Sequence, residues 1–388
     1  MTLASSVRSR ANDAAILAGL LWCVAGIDID TPQADRFALL LVGVALLAVS
    51  LTRRLPGGWV GAYAVLIATS DRLVRQPFSG SDVLRATQEA IQTFLGGANP
   101  YTHVMTNTDP VGSPFVYPPG EFLFYLPAQV IAGDITRVDT VAGILTVVAI
   151  VLTGIRVGWE RVTLPAMLYA SWGISGYRGT DGSNDVSAAF LVVLALALLA
   201  FGDERRRSGR IAFILSAIAL GWAGAFKQFA LLVAPLVIRH LAVAGRDWRR
   251  YALVAAVTFA AFVLPFLVWS PGAFLTQQLQ ALTFHRNIWG TNILSFAAQF
   301  GDVRAVVPLF FVAEILVTLV VFALLVRARL PTIGLAALGG TFVVLITLLL
   351  ARWTTQPYYI YLGAIAAIGL ALVDVSARAP EPLDRVSA

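Results

Sequence analysis

Apolar runs separated by short polar segments recur along the whole chain, and most approach the length that an α-helix needs to cross a bilayer. Because a backbone in hydrocarbon must satisfy its own hydrogen bonds, such runs predict helices. The pattern therefore predicts an all-α polytopic membrane protein with about twelve transmembrane helices. These lie near 14–30, 36–52, 58–74, 139–156, 163–178, 184–202, 210–224, 228–243, 251–270, 304–327, 331–351 and 357–374.

One apolar segment is too short to assign by length. The run 121–132 follows Pro118-Pro119 and covers less than the thickness of a bilayer. We interpret it as an interfacial or re-entrant helix on the outer face. If it crossed the membrane instead, the orientation of every later segment would invert unless another short run, such as 163–178, did not cross.

Composition supports the membrane class. Hydrophobic residues make up 58% of the 388 positions, charged residues 13%, and the mean hydropathy is +0.78. A soluble protein with a charged surface does not reach these values. We therefore expect a single membrane-embedded domain over 1–388 with a cytoplasmic tail at 375–388. The one cysteine, Cys23, excludes an internal disulfide.

Basic residues indicate which side of the membrane each loop occupies, because cytoplasmic loops carry an excess of Lys and Arg. The net charge of +6 is thus a signal of topology, and no nucleic-acid-binding motif accompanies it. Polar segments 71–120, 171–184, 270–304 and 352–358 share the outer face with the turn around Lys227. With a cytoplasmic N-terminus, the arginines that fall on the cytoplasmic side are Arg8, Arg10, Arg53, Arg54, Arg205, Arg206, Arg207, Arg210, Arg246, Arg249, Arg250, Arg327 and Arg329.

The segment 71–120 is the first long outer loop. Asp82 opens an amphipathic stretch that ends at Gly96-Gly97, with Ser81 or Asp82 as its N-cap. Its apolar side chains recur with helical spacing and can lie on the bilayer surface. The carboxylate of Asp82 either caps this helix, acts as a general base on an acceptor hydroxyl, or does both.

Short motifs follow the amphipathic stretch in a defined order. They are Gly96-Gly97-x-Asn99-Pro100-Tyr101, then Phe115-x-Tyr117-Pro118-Pro119, and then an apolar run that ends near Pro127. This order resembles the first outer loop of GT-C superfamily glycosyltransferases. The likeness is greatest to the polyprenyl-phosphate-sugar-dependent branch, the family 87 alpha-mannosyltransferases, and the arrangement of apolar runs is compatible with it over most of the chain.

The resemblance implies a function. Enzymes of this kind transfer a sugar from a polyprenyl-phosphate donor at the outer leaflet of the cell membrane. The chain would then be a hexosyltransferase, with mannose suggested by the likeness, that acts with inversion on a lipid-linked or glycan acceptor. Asp82 would be the catalytic base, and Asn99, Tyr101 and Tyr117 would contact the sugar or the acceptor.

A second match surrounds the single lysine of the chain. Lys227 lies between two apolar runs, in the sequence Gly-Ala-Phe-Lys-Gln. A cation at such a position is a functional candidate, although its side chain could also extend to the lipid headgroups. Similar enzymes place a lone basic residue at this outer turn, so Lys227 would bind the donor phosphate as a point charge. Gln228 would contact the sugar or the acceptor.

A third outer segment, 284–292, concentrates polar and aromatic groups. Arg286 could bind phosphate through two N–H groups, and His285 could assist it. Trp289 and Asn292 suit the face and the hydroxyls of a sugar. The segment could equally be a solvated connector.

Other assignments stay open. Asp71, at the end of the third run, is the alternative base, or it forms a salt bridge with Arg72. The histidines have no spacing typical of metal ligands, and the first loop lacks a pair of adjacent acids, so we predict neither a cofactor nor a divalent metal. Two other classes would also account for the apolar runs: a secondary transporter or lipid flippase, and an assembly protein without activity.

Overall fold

The computed structural model describes residues 3–25, 34–52, 55–74, 81–283 and 288–374. Within these ranges the chain forms seventeen α-helices, two 3-10 helices (Pro100–Thr102 and Arg304–Val306) and two short strands. The helices are α1 (Leu3–Ala25), α2 (Ala34–Thr52), α3 (Gly57–Leu73), α4 (Asp82–Leu95), α5 (Gly120–Ala132), α6 (Val138–Val157), α7 (Trp159–Ala170), α8 (Gly173–Arg178), α9 (Asp185–Phe201), α10 (Arg207–Phe226), α11 (Ala230–Val243), α12 (Trp248–Trp269), α13 (Pro271–Thr283), α14 (Ile293–Ala297), α15 (Val307–Arg327), α16 (Ile333–Leu350) and α17 (Gln356–Ala371). The strands β1 (Trp289–Gly290) and β2 (Trp353–Thr354) pair in parallel.

A helix occupies each of the twelve apolar runs, but two bounds were predicted wrongly. The run 163–178 is not one helix: it ends at Ala170, and α8 begins only at Gly173 because Trp172 adopts an extended conformation. The first helix starts at Leu3 rather than near residue 14, since its polar residues find partners on a neighbouring helix. Ser50 of α2, for example, donates to the Asp13 carboxylate at 2.5 Å.

The centre of the bundle is α9, which packs against α6, α10 and α17. Its side chains Val192, Val193 and Leu196 are fully buried. At the periphery, α2, α12 and α15 expose most of their apolar side chains, as helices in contact with lipid do. Six helices in the described ranges are long and apolar enough to cross a bilayer: α2, α6, α10, α12, α15 with the 3-10 turn before it, and α16.

The two ends of the bundle differ in chemistry. At one end the polar segments meet: Arg178 donates to Gln356, and the Gln228 amide donates to the Val116 carbonyl at 3.2 Å. The arginine-rich turns lie elsewhere, where Arg246 binds Glu204 at 2.9 Å. The segments 71–120, 171–184 and 352–358 and the turn around Lys227 are therefore joined by direct contacts. The tail 375–388 lies outside the described residues.

The predicted amphipathic helix is α4, which begins at Asp82 and ends before Gly96-Gly97. The short apolar run after Pro118-Pro119 is α5, a helix of 13 residues. Both lie at the polar end and pack on each other. Together with the segment between α8 and α9, they form the surroundings of Lys227.

Candidate functional site

Lys227 lies in an extended conformation directly after α10, where the chain turns into α11. Its side chain is only 4% exposed. The ammonium donates to Asp185 Oδ1 at 2.5 Å and to Asn184 Oδ1 at 2.9 Å. Since an ammonium carries three N–H donors, one remains without a hydrogen-bond acceptor among the described residues.

Aromatic rings surround the same nitrogen. The ring centroid of Tyr358 lies 4.8 Å from Lys227 Nζ, that of Phe229 5.7 Å, and that of Tyr117 5.9 Å. Rings at these distances attract a cation through their quadrupoles, by about 0.5–2 kcal/mol each depending on exposure. The cation is therefore held among two polar partners and three rings.

Asn184 connects this lysine to two further acids. Its side-chain Nδ2 donates to Glu121 Oε1 at 3.3 Å, and its backbone N–H donates to Asp139 Oδ2 at 3.3 Å. The orientation of the amide follows from its neighbours, because Oδ1 must face the ammonium and Nδ2 the carboxylate. Asn184 has a φ of +63°, in the left-handed region that Asn tolerates better than most residues.

The two acids are buried and hydrogen-bonded. Asp139 Oδ1 accepts from the Tyr125 hydroxyl at 2.7 Å and from the Ser187 hydroxyl at 2.5 Å, and Glu121 accepts from Thr87 at 2.6 Å. Three carboxylates thus lie near one lysine. Buried charges are stable only when they are paired or well hydrogen-bonded, so this network fixes the ends of α4, α5, α6, α9 and α10 relative to one another.

Two glycines allow these elements to approach closely. A Cβ on Gly120 would lie 2.6 Å from the carbonyl oxygen of Ala225, so only glycine lets α5 begin against the end of α10. The Trp222 indole donates to the Gly120 carbonyl at 2.9 Å at the same contact. Gly182 has a φ of +77° and lies against Leu84, which brings the segment before Asn184 onto α4.

Asp82 is the first residue of α4, and its side chain is exposed. Ser81 occupies the predicted N-cap position, although its side chain forms no capping hydrogen bond there. Instead, Asp82 Oδ1 accepts from the backbone N–H of Asp109 at 3.2 Å. This contact orients the carboxylate of Asp82.

Tyr117 lies near both the Asp82 carboxylate and the buried cluster. Burial raises the pKa of Tyr117 well above its usual range, with contributions from Tyr358, Asp185, Glu121 and Asp82. The carboxylates of Asp185, Glu121 and Asp82 therefore all lie within electrostatic reach of the Tyr117 phenol. The polar end brings the predicted base and the predicted phosphate ligand to one region.

Glu89 holds the segment that contacts Asp82. Its carboxylate accepts from the backbone N–H groups of Thr106 and Asn107, from the Thr106 hydroxyl and from His103, at 2.7–3.0 Å. Burial alone would raise the pKa of Glu89, but these hydrogen bonds lower it to about 2. Glu89 thereby fixes the segment that presents the Asp109 N–H.

Comparison with known proteins identifies the family. The profile of Glycosyltransferase family 87 matches residues 115–351, more than half of the chain. The chain belongs to glycosyltransferase family 87. No protein with a curated description matches the sequence.

Two solved structures resemble this family 87 glycosyltransferase: ArnT from Cupriavidus metallidurans bound to undecaprenyl phosphate, and the same protein in the apo state. Each aligns with a TM-score of 0.52 at 16% identity, over 80% of this chain and 58% of the ArnT chain. The chain thus spans little more than half the length of ArnT. The predictions of a GT-C fold and of a multi-pass helical membrane protein are confirmed.

Several residues that we predicted as sugar or acceptor ligands support the fold of the glycosyltransferase at this end. Asn99 caps the 3-10 helix by accepting from the Tyr101 N–H at 3.0 Å. Tyr101 is buried among aromatic rings, and its hydroxyl donates to the Tyr117 carbonyl at 2.8 Å. Gln228 is exposed, and its side-chain amide donates to the Val116 carbonyl and to Gln278 Oε1, each at 3.2 Å. Of this set, Tyr117 contributes a ring to the surroundings of the ammonium.

The third predicted segment is partly described. Trp289 is 61% exposed and stacks on Trp353, with ring centroids 6.2 Å apart. Asn292 is buried and caps α14 by accepting from Ser295 N–H at 2.8 Å. The Tyr359 hydroxyl donates to the Thr291 carbonyl, which joins this segment to α17 next to Tyr358. His285 and Arg286 lie outside the described residues.

Asp71 occupies a different environment from Asp82. It is 4% exposed and lies 3.7 Å from Arg36. A Cβ on Gly176 would fall 1.4 Å from its Oδ2, so α8 covers the carboxylate directly. Arg72, the predicted salt-bridge partner, instead donates to Ser175 at 2.8 Å. Asp82 is more accessible to an acceptor than Asp71, because Asp82 is exposed and Asp71 is buried.

Sequence reasoning missed the central residues of the network. Glu121, Asp139, Asn184 and Asp185 are not among the predicted site residues. The available signal was that each acid lies in the first turn of an apolar helix, where an ionisable group is costly unless it is paired. In the described part of the chain, no three His, Cys, Asp or Glu side chains group as metal ligands.

Proposed function

We propose that this glycosyltransferase moves a sugar from a polyprenyl-phosphate donor to a lipid-linked or glycan acceptor at the extracytoplasmic face of the membrane. Membership of family 87 supports glycosyl transfer. The fold shared with an ArnT structure bound to undecaprenyl phosphate supports a polyprenyl-phosphate donor. The observation that carries the proposal is the buried Lys227, whose ammonium has one N–H donor without an acceptor among the described residues, at the same end of the bundle as the exposed Asp82 carboxylate, with Tyr117 near both.

Lys227 binds the donor phosphate in this proposal. The leaving group is a polyprenyl phosphate, and a fixed cation beside it stabilises the charge that develops as the glycosidic bond breaks. An ammonium already surrounded by protein has little hydration to lose when the phosphate arrives. Arg286, and His285 beside it, remain proposed as further phosphate ligands.

Asp82 acts as the general base. It removes the proton of the acceptor hydroxyl as that oxygen attacks the anomeric carbon on the face opposite the phosphate, which inverts the configuration. A positioned base contributes about 10²- to 10⁴-fold. Asp82 suits this role better than Asp71 because its carboxylate is exposed and because the Asp109 N–H engages only one of its two oxygens.

Mannose is the proposed sugar, on the resemblance of the first outer loop to family 87 mannosyltransferases. Tyr117, Gln228, Trp289 and Asn292 are proposed to contact the sugar or the acceptor, with Asn99 and Tyr101 behind them. Because Lys227 supplies the positive charge at the phosphate, we propose that transfer needs no divalent ion. A chelator should then leave the rate unchanged.

The test is transfer of radiolabelled mannose from polyprenyl-phosphate mannose to a membrane lipid extract by the purified protein in nanodiscs. Asp82→Asn should reduce kcat by at least a hundredfold. Asp109→Asn is the matched control, since Asp109 contributes only its backbone N–H, and its rate should stay near that of the wild type. Equal rates for the wild type and Asp82→Asn would exclude Asp82 as the base. Absence of transfer with mannose, glucose and pentose donors alike would contradict the proposed reaction.

A further inference from the structure

A neutral residue links the lysine to Glu121, one of the buried carboxylates of the cluster. Asn184 accepts from Lys227 on one side and donates to Glu121 Oε1 on the other, at 2.9 and 3.3 Å. Glu121 is fully buried, and its Oε2 has no hydrogen-bond partner among the described residues. The amide is therefore the group that stands between the ammonium and a buried acceptor that could bind it.

The lysine side chain cannot hold its own position. It is a flexible four-carbon chain with three rotatable donors, so its acceptors decide where the charge lies. Asp185 holds it from one side at 2.5 Å. Asn184 holds it from the other and is itself anchored to Asp139 through its backbone N–H. Two acceptors leave one donor of Lys227 free, whereas a third acceptor would occupy it.

The backbone of Asn184 supports a specific role for this residue. It is the single residue other than glycine with a positive φ in the described part of the chain. Such a conformation is costly for most side chains, and it persists where the surroundings over-determine it. Glycine would adopt the same backbone conformation freely. The presence of asparagine there indicates that its side chain is needed.

We propose that Asn184 is a positioning residue for phosphate recognition: it holds the Lys227 ammonium away from Glu121, so that the cation is paired with one carboxylate and keeps its attraction for the phosphate of the donor. This inference rests on the proposed function. Without the Asn184 side chain, the ammonium turns to the Glu121 carboxylate, and a cation shared by two buried carboxylates has its charge cancelled, so it no longer attracts a third anion.

The test compares binding of a polyprenyl phosphate with binding of the matching polyprenol, which lacks the phosphate, to the full chain in nanodiscs. The wild type should prefer the phosphate, and Lys227→Met should lose the preference. Asn184→Gly, which retains the backbone conformation, should reduce it about tenfold, the worth of one hydrogen bond to a charged group. Asn184→Asp should reduce it as well, because it places a further negative charge directly beside the ammonium.

A structural role alone would produce a different result. A distorted site would weaken phosphate and polyprenol together, so their ratio separates positioning from folding. Thr332→Gly is the matched control: Thr332 is 8% exposed and caps α16 by accepting from the Leu335 N–H, and its loss should leave the ratio unchanged. In a Lys227→Met background, Asn184→Gly should have no further effect on the ratio.

Two outcomes overturn the inference in distinguishable ways. If the wild type prefers the phosphate and both Asn184 variants keep that preference, Asn184 does not position the lysine, and the proposed function stands. If the wild type binds polyprenol and polyprenyl phosphate equally, the proposed donor is wrong and the inference falls with it. Should Asn184→Gly not fold, Asn184→Asp with Lys227→Met supplies the same comparison.

Discussion

Glu89 provides a quantitative test of how the first outer loop is held. Its carboxylate accepts from four donor groups, two of them backbone N–H groups of Thr106 and Asn107. Glu89→Gln removes the charge and replaces one acceptor oxygen by an NH₂ group. That group faces N–H donors that are then left without a partner, at a cost of about 1–3 kcal/mol each.

The pKa gives a second route to the magnitude. The folded-state pKa of Glu89 is about 2, against an ordinary value of 4.5. The gap between these two pKa values corresponds to about 3 kcal/mol of stabilisation of the charged form. The carboxyl is almost fully buried, so screening by solvent is small. Both routes predict that the loop opens about a hundredfold more often in Glu89→Gln, since each ~1.4 kcal/mol is a factor of ten.

Hydrogen exchange of the backbone amides over 103–109 measures this opening directly at pH 7. Protection of the Thr106 and Asn107 amides should fall about a hundredfold in Glu89→Gln. His103→Gln is the control, because the imidazole is 36% exposed and supplies one of the four donors, so protection should fall only a few-fold. Unchanged protection in Glu89→Gln would refute the assignment of Glu89 as the anchor of this loop.

The same residue sets a pH dependence. A carboxyl whose pKa is depressed on folding stabilises the fold fully above its unfolded pKa and loses that contribution as pH falls through the folded pKa. Protection of the loop should therefore be constant above pH 4.5, fall between pH 4.5 and about 2, and show no such fall in Glu89→Gln. A loop whose protection changes between pH 5 and 8 would be held by another group.

Three further substitutions have defined outcomes. Gly120→Ala places a methyl group 2.6 Å from a backbone carbonyl of α10, so it should lower the midpoint of thermal unfolding in detergent. Gly173→Ala is the control and should leave this midpoint unchanged, because no atom lies within 4 Å of the new Cβ. Asp71→Asn weakens a buried ion pair and should reduce the yield of folded protein while the rate of transfer per folded molecule stays near that of the wild type. Tyr358→Leu removes the ring nearest Lys227 and should raise the donor KM about two- to thirtyfold with little change in kcat, measured in the transfer assay.

The family match favours one of the function classes that the sequence left open. A transporter or flippase accounted for the apolar runs equally well, since both classes need only helices of that length. Membership of family 87 favours the enzyme. The proposed role of Asp82 separates the two classes, because transport needs no general base.

Hydrophobic periodicity alone determined the elements of this protein. A segment in lipid must satisfy its backbone within itself, so an apolar run is a helix whatever surrounds it. The period of 3.6 residues likewise predicted α4 with its start and end, and the scarcity of lysine drew attention to Lys227. The break between α7 and α8 was not predicted, because the local pattern there stays apolar.

Only the tertiary structure decided what surrounds the lysine. Asn184 lies 43 positions from Lys227 and 63 from Glu121, and no local pattern encodes contacts over such separations. Its positive φ also depends on the bonds that hold it, since an isolated Asn rarely adopts that conformation. Sequence identified the groups that can carry charge. Which of them are exposed, which are paired and which donor stays free followed from how the helix ends pack, because burial and pairing are properties of the assembled bundle.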